Sequence, residues 1–433
     1  MVKTKNDVDI VEEIQDCVSE NSPSIFSLLE SHNLAFLIQE IFLYLDHDSL
    51  HQARQVCQDW NEFIMERIWH SRRGKAEMKK KLWRQWRTYD PHKREYELDR
   101  KGFYLAVDEK IIGLGTLDNK AVMLKLDTGE EVGKVECQDT GVLTRMDQNN
   151  FISEAESVQL DMTNEVVVTV TGCGVVTVWD RLTMEVLYRE AHHGYEPVLG
   201  VRAVGDIVIT GGINGSMAVL SVSPTTPRVR LECIQRERGQ RSINHLDCDT
   251  VHILVGTDND MKLWSLSDRA NPVVVNTVPA EHVCCCVLAY PYAACTGLFA
   301  SYGVQIWDMV KGEQLRHLHM DLSMWVVQVK DNILATSMSG DMNRANTPSI
   351  FIHDMNELVD PSIKDKDLWA RQIMCPREDV SDPHIAINKT CLFSVTKKGQ
   401  NGAKVTVWDF WSYNQRKDWD MDTFLNDGTL ELL

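Results

Sequence analysis

Apolar residues follow two different periods along this chain. From Asp9 to about Asp90 they recur at three- and four-residue spacing with few β-branched runs, which predicts helices. From about Tyr104 onward they alternate in short segments separated by Gly, Asn and Asp, which predicts strands and tight turns. The change of period marks the main domain boundary. Pro91 disfavours a helix running through Asp90, so Asp90-Pro91-His92 is the expected junction.

Within the helical part, Leu34, Leu37, Ile38, Ile41, Phe42 and Leu45 stand at i, i+3, i+4, i+7, i+8 and i+11, one stripe along one helix face. Phe36, Leu43 and Tyr44 lie off that stripe. A helix in a small domain has one core to face, so a second apolar set needs a second partner, either another chain or the rest of this one. Asp46-His47-Asp48 breaks the helix, and Asp48 or Ser49 is expected to cap the next. Two more helices are predicted, near Leu50–Val56 and Asp59–Trp69. Residues 71–90 then carry eight Lys and Arg against Glu77 and Asp90, with Met78, Leu82, Trp83 and Trp86 at i, i+4, i+5 and i+8. That spacing predicts an amphipathic helix with an aromatic face to bury and solvated lysines, acting as a stiff spacer.

The strand-rich part repeats. Val175-Val176-Thr177-Val178-Trp179-Asp180 resembles Val304-Gln305-Ile306-Trp307-Asp308 and Val405-Thr406-Val407-Trp408-Asp409, with Met261-Lys262-Leu263-Trp264-Ser265 a near variant. Weaker copies end at Leu126, Leu220 and His353. The marks fall at 126, 179, 220, 264, 307, 353 and 408, so the intervals are 53, 41, 44, 43, 46 and 55. A period near 40–45 closed by Trp-Asp is the signature of WD-repeat propeller blades, and seven marks predict seven blades. Gly172-Cys173-Gly174 and Gly211-Gly212-Ile213-Asn214-Gly215 suit tight hairpins between the second and third strands of a blade.

The last blade shows three strands and no fourth after Asp409, so a stretch near Lys93–Leu98 is expected to supply it and clasp the ring. Insertions are expected around Asp139–Glu154 and between Ser339 and Asp382, as loops.

Charge narrows the partners. With 45 Lys+Arg against 63 Asp+Glu the net charge is −18, which argues against the phosphate backbone of nucleic acid as main partner. No uninterrupted apolar stretch is long enough for a membrane span. The first residues carry no apolar signal core, so secretion is not expected, and twelve cysteines without ligand spacing read as free thiols of a reducing compartment. Cys284-Cys285-Cys286 reads as a buried strand, whose neighbouring side chains point to opposite faces and cannot converge on zinc.

No phosphate-binding loop, zinc-protease helix or nucleophile elbow occurs, and the scattered Asp and His residues are expected to cap turns. A catalytic set and a cofactor are therefore not expected. Arg145, Arg236, Arg238, Arg241 and Arg344 are assigned to the propeller face that carries the turns between second and third strands. An arginine island there suits an acidic or phosphorylated peptide. Solvated turns with Arg–Glu pairs are the alternative.

The helical part resembles a known family. Leu34…Ile41-Phe42-Leu43-Tyr44-Leu45, Leu50, Arg54-Gln55-Val56-Cys57-Gln58-Asp59-Trp60 and Ile68-Trp69 resemble the F-box pattern L-P…I-F-x-Y-L…L…R-x-V-C-x-x-W…L-W. Ala35 stands where that pattern has proline, which removes a fixed φ from the first turn. The resemblance implies docking onto a Skp-type adaptor, and through it a cullin, by Leu34, Phe36, Ile38, Ile41, Phe42, Leu43, Tyr44, Leu45, Val56, Cys57 and Trp60.

The implied fold class is mainly β, a seven-bladed WD-repeat β-propeller preceded by an all-α F-box and a helical linker. The implied function is that of a non-catalytic substrate receptor of a ubiquitin ligase, cytoplasmic or nuclear. A non-degradative scaffold is the alternative. The expected domains are an acidic segment (1–30), the F-box (31–70), a basic linker (71–92), the propeller (93–416) and an acidic tail (417–433). Ile10, Val11, Ile14 and Val18 give the first segment a weak similarity to the dimerising stretch before some F-boxes, which implies a homodimer through residues 9–30; a tail with transient helix is the alternative.

Overall fold

A computed structural model describes residues 35–410 apart from 46, 55, 57, 70–79, 81, 82, 89, 100, 101, 117, 138–157, 195, 223–229, 235–241, 269–271, 298–302, 320–323, 339–348, 376–383 and 399–401. The chain forms two compact units, the helices up to Thr88 belonging to one and Tyr89–Phe410 forming the other.

The first unit contains helices α1 (Ala35–Tyr44), α2 (His47–Arg54) and α3 (Gln58–Phe63), the last continuing as a π-helix over Ile64–Trp69. Its core is Phe42, Leu50, Ala53, Phe63, Ile64 and Ile68, with Ile38, Leu45 and Trp60 packed partly buried against it. The Phe42 ring meets Trp60 edge-on at 5.3 Å and lies 5.9 Å from Phe63. Gln39 Nε2 donates to the Arg67 carbonyl at 2.9 Å, and Arg54 Nε to Asn61 Oδ1 at 2.8 Å.

The predicted stripe on α1 is divided. Ile38, Phe42 and Leu45 enter the core, whereas Leu37 and Ile41 are exposed. The i, i+4, i+7 set points one way, and three short helices enclose an arc no wider than that. Helix α2 begins at His47, one residue ahead of Asp48 and two ahead of Ser49, the residues expected to cap it. In the basic connector, residues 83–88 are helical, Trp86 is buried and the Arg87 guanidinium lies 4.4 Å over the Trp83 ring.

The second unit is a seven-bladed β-propeller. All seven sheets have four antiparallel strands, here lettered a to d within each blade. Blades 1 to 6 span residues 102–136, 159–190, 198–234, 245–279, 283–319 and 324–374, and blade 7 takes strands a to c from 384–409. Its fourth strand is His92–Leu98, paired antiparallel with Gly402–Asp409 so that Lys93 faces Trp408 and Tyr96 faces Val405. The expected clasp is present. The a strands are neighbours around the ring and so lie innermost.

Alternation explains why one ring has many small cores. In strand c of blade 1, Val122 and Leu124 turn toward Phe393, Val405 and Val407 of blade 7, while Ala121 and Met123 turn toward Leu160, Met162 and Trp179 of blade 2. Each blade is apolar on both faces because each face is covered by a neighbour. Close approach demands glycine at one such contact. A Cβ on Gly115 would stand 1.8 Å from the Val158 carbonyl oxygen. The tight b–c hairpins also form, with Gly174 and Gly215 both at φ +76°.

Register corrects one mark. Trp179, Leu220, Trp264, Trp307, His353 and Trp408 pair with Val167, Val208, Ile253, Ala293, Leu334 and Leu392, and the same place in blade 1 pairs Leu124 with Ile112. Leu124, and not Leu126, is therefore the equivalent residue. The Leu126-Asp127 pair imitates Trp-Asp in sequence but follows the strand end. The aspartates after Trp179, Trp307 and His353 hold the next turn: Asp180 Oδ1 accepts from the Leu182 and Thr183 N–H groups at 2.9 and 2.8 Å. The Thr183 bond holds the Asp180 carboxyl below its usual range.

Asp308 repeats the turn with Val310 and Lys311, and in blade 6 Asp354 becomes the N-cap of a fourth helix, α4 (Met355–Val359). The interval between Ser339 and Asp382, expected as loop, thus holds α4, a 3-10 turn at Asp365–Asp367 and strand Ala370–Met374. Arg316 of blade 5 seats this insertion by donating to the carbonyls of Leu358, Asp360 and Ile363 and pairing with Asp365. The other expected insertion, Asp139–Glu154, lies outside the described residues.

Candidate functional site

Helix α1 turns one face into its bundle and leaves an apolar face open. Leu37 and Ile41 lie one helical turn apart with Phe36 beside them, and with Val56, past the end of α2, they are between 45% and 63% exposed. Desolvating such side chains releases free energy only if something covers them. The open face can bind an apolar partner surface, and it carries no chemistry of its own.

The residues assigned to adaptor docking divide accordingly. Phe36, Ile41 and Val56 are exposed. Ile38, Leu45 and Trp60 are partly buried against the bundle core, and Phe42 is buried within it, so Phe42 shapes the bundle and offers no surface. Leu34, Cys57 and the side chains of Leu43 and Tyr44 lie outside the described residues. Leu37, placed on the α1 stripe but not among the docking residues, is exposed; its i, i+4 spacing to Ile41 was the available signal. Arg145, Arg236, Arg238, Arg241 and Arg344 all lie outside the described residues, so the arginine island has no geometry here.

On the innermost strands a charged series joins four blades. Asp161 accepts the Ala203 N–H at 2.9 Å, Arg202 Nε donates to Asp247 Oδ1 at 2.9 Å, and Asp247 Oδ2 accepts the Leu288 N–H at 2.8 Å. Burial, outweighing the nearby Arg202, pushes the Asp161 carboxyl upward. Asp161 and Asp247 sit inside strands and tie adjacent blades together, contrary to the expectation that such residues cap turns. In the connection between blades 2 and 3, His193 is buried with Nδ1 2.6 Å from Ser216 Oγ and Nε2 2.9 Å from Thr210 Oγ1 of blade 3, and burial pushes its pKa down to about 4. It remains neutral as a structural hydrogen-bonding group.

The cysteine run forms strand Val283–Ala289, as expected. The Cys286 N–H donates to His245 Nδ1 at 3.3 Å, which leaves the ring proton on Nε2, 3.5 Å from Cys285 Sγ. Burial pushes His245 down to about 3 and Cys285 up to about 12. A thiol held that far from thiolate is a poor nucleophile. Among the described residues no group of three His, Cys, Asp or Glu side chains is placed to hold a metal ion.

Together these features define a propeller protein with a separate helical module. The F-box-like family model matches residues 37–73, which contain most of that module. Among solved structures, the chain is similar to U3-55K at 11% identity and a TM-score of 0.55, covering 75% of this chain and 99% of that one. It also matches the computationally designed Ika8 protein at 16% identity and a TM-score of 0.49, covering 72% and 96%. No curated protein matches. The chain thus carries an F-box-like region followed by a seven-bladed β-propeller.

Proposed function

We propose that this protein is the substrate-recognition subunit of an SCF-type cullin-RING ubiquitin ligase, with WD-repeat blades as its capturing domain. The observation that carries the reading is that α1 leaves Phe36, Leu37 and Ile41 exposed while Ile38 and Phe42 of the same helix already have a core, with Val56 exposed past the end of α2. That surface falls in and beside the residues matched by the F-box-like family. A Skp-type adaptor covers it, and a cullin is recruited through the adaptor.

The propeller captures a protein substrate, in this reading through the arginines Arg145, Arg236, Arg238, Arg241 and Arg344. The chain performs no chemistry itself. It holds a substrate near a charged conjugating enzyme, which raises the effective concentration of the reacting groups. Residues 9–30 supply a homodimer contact, and the complex works in the cytoplasm or nucleus.

The test is co-purification with a Skp-type adaptor and cullin, followed by ubiquitin transfer in the reconstituted complex. Wild type binds, and Leu37→Asp with Ile41→Asp loses binding at unchanged melting temperature. Equal adaptor binding by both proteins sinks the assignment of the face. Adaptor binding without ubiquitin transfer to any co-purifying protein favours a non-degradative scaffold.

A further inference from the structure

A propeller exposes the outer edge of every blade, and six of the seven outermost strands here carry charged residues. Charges on an edge strand discourage another strand from adding to it. The seventh, Val273–Pro279 of blade 4, reads VVVNTVP and carries none. Among the described residues it pairs only with Asp260–Ser265, so its outer row of N–H and C=O groups has no strand beside it. The neighbouring outer strand of blade 5 is seated under the blade 6 insertion through Arg316, a cover that blade 4 lacks among the described residues.

The apolar surface extends past the strand. Asn276 Nδ2 donates to the Met309 and Val310 carbonyls at 2.9 and 3.4 Å, which places Val310 alongside. The Met309 N–H donates to the Pro291 carbonyl at 2.9 Å, beside Tyr290, whose ring stacks on His252 at 3.9 Å. Val251 adjoins His252, and its carbonyl accepts the Leu266 N–H at 2.6 Å. Val251, Val273, Val274, Val275, Tyr290 and Val310 are each 40% to 60% exposed.

Their open area, roughly 500 Å2, is near the upper end of what a monomer leaves uncovered. It falls short of the ~800 Å2 that each side of a stable globular interface covers. One extended segment fits that area better than a second copy of the chain does. Charge orients it. Near the Pro279 end stand Asp258, Asp260 and Glu281 against Lys262, so a basic flank belongs there.

We propose that the outer edge of Val273–Pro279 is a docking site for an extended, β-branched segment of a partner protein. The segment is added antiparallel as a fifth strand and is basic at its N-terminal end. Main-chain hydrogen bonds on either side of the bulge at Val275 supply the affinity, and the exposed valines select the side chains. The site is separate from the helical module, so it stands or falls independently of the adaptor reading.

The probe is the peptide Ac-KKVTVTVT, labelled with fluorescein at its C-terminus and titrated against the full chain by fluorescence anisotropy. Saturable binding is expected, with slower amide exchange over residues 273–279. Val273→Lys with Val275→Lys, both on exposed positions, weakens binding at least tenfold at unchanged melting temperature. Replacing the two peptide lysines by glutamate weakens it several-fold. Equal binding by the variant, no saturable binding, or a dimer in sedimentation that the variant abolishes each overturns the proposal, the last by assigning the edge to a second copy.

Discussion

Arg94 donates from Nη2 to Asp409 Oδ2 at 3.0 Å, across 315 residues of sequence. The same guanidinium donates from Nη1 to the Leu126 carbonyl of blade 1 at 3.2 Å, and the Tyr96 hydroxyl reaches that carbonyl at 2.7 Å. The clasp strand is therefore paired with blade 7 along its backbone and pinned to blade 1 by its side chains. One strand closes the ring at the seam where both blades would otherwise present an open flank.

Closure of this kind predicts that the ring melts from the seam. Arg94→Ala removes the ion pair to the buried Asp409 carboxylate, a loss of at most about 3–5 kcal/mol. Deleting residues 91–99 removes the strand altogether. Calorimetry should show a fall of several degrees for the substitution and a larger one for the deletion. An unchanged melting temperature for the deletion rules out the clasp as a stabilising element.

His353 predicts a dependence on pH. It occupies the place that Trp179, Trp264, Trp307 and Trp408 hold in other blades. It is buried, and neither ring nitrogen has a hydrogen-bond partner among the described residues. Burial pushes its pKa down to about 4. The unfolded chain binds this proton more readily than the folded one, so stability is full above the unfolded value and falls as pH drops toward 4. At pH 5, 1.5 pH units below the unfolded value of 6.5, the loss is about 2 kcal/mol, at 1.36 kcal/mol per unit. His353→Leu should flatten the denaturant midpoint between pH 7 and 5; His193 and His245, also pushed down by burial, keep the rest of the slope.

The helical module separates core from surface on a single helix. Phe42→Ala empties a site bounded by Trp60 and Phe63 and is expected to cost about 3–5 kcal/mol. Ile41→Ala, one position away and exposed, is expected to cost less than about 0.5 kcal/mol. Amide exchange of residues 35–44 in the full chain reads both. Similar protection in the two variants contradicts the orientation of the helix.

Two glycines distinguish crowding from backbone strain. Gly115→Ala drives a methyl group into the Val158 carbonyl, so the loss is at least that of overpacking, about 1–3 kcal/mol. Gly194 has φ +69° and nothing within 4 Å of an added Cβ, so Gly194→Ala meets only the left-handed penalty of about 1–2 kcal/mol. Thermal unfolding of both variants should rank Gly115→Ala as the more damaging; the reverse order removes blade packing as the reason for glycine there.

Much of this was legible from local pattern. The change from helical to alternating period, the seven blade endings, the tight Gly turns and the missing fourth strand of blade 7 are properties of neighbouring residues, and backbone geometry acts over the same short range. The identity of the clasp strand followed from counting strands. The helical motif was readable because its spacing reflects one small bundle.

Long-range packing decided the rest. It set which half of the α1 stripe is core, because that depends on where α2 and α3 lie against it. It moved the blade 1 mark from Leu126 to Leu124, since register is fixed by the partner strand and Trp-Asp look-alikes can follow a strand end. It turned Asp161 and Asp247 from expected turn caps into ties between blades. And it left Val273–Val275 open, because a run of valines reads as core until the ring shows which strands have a neighbour on only one side.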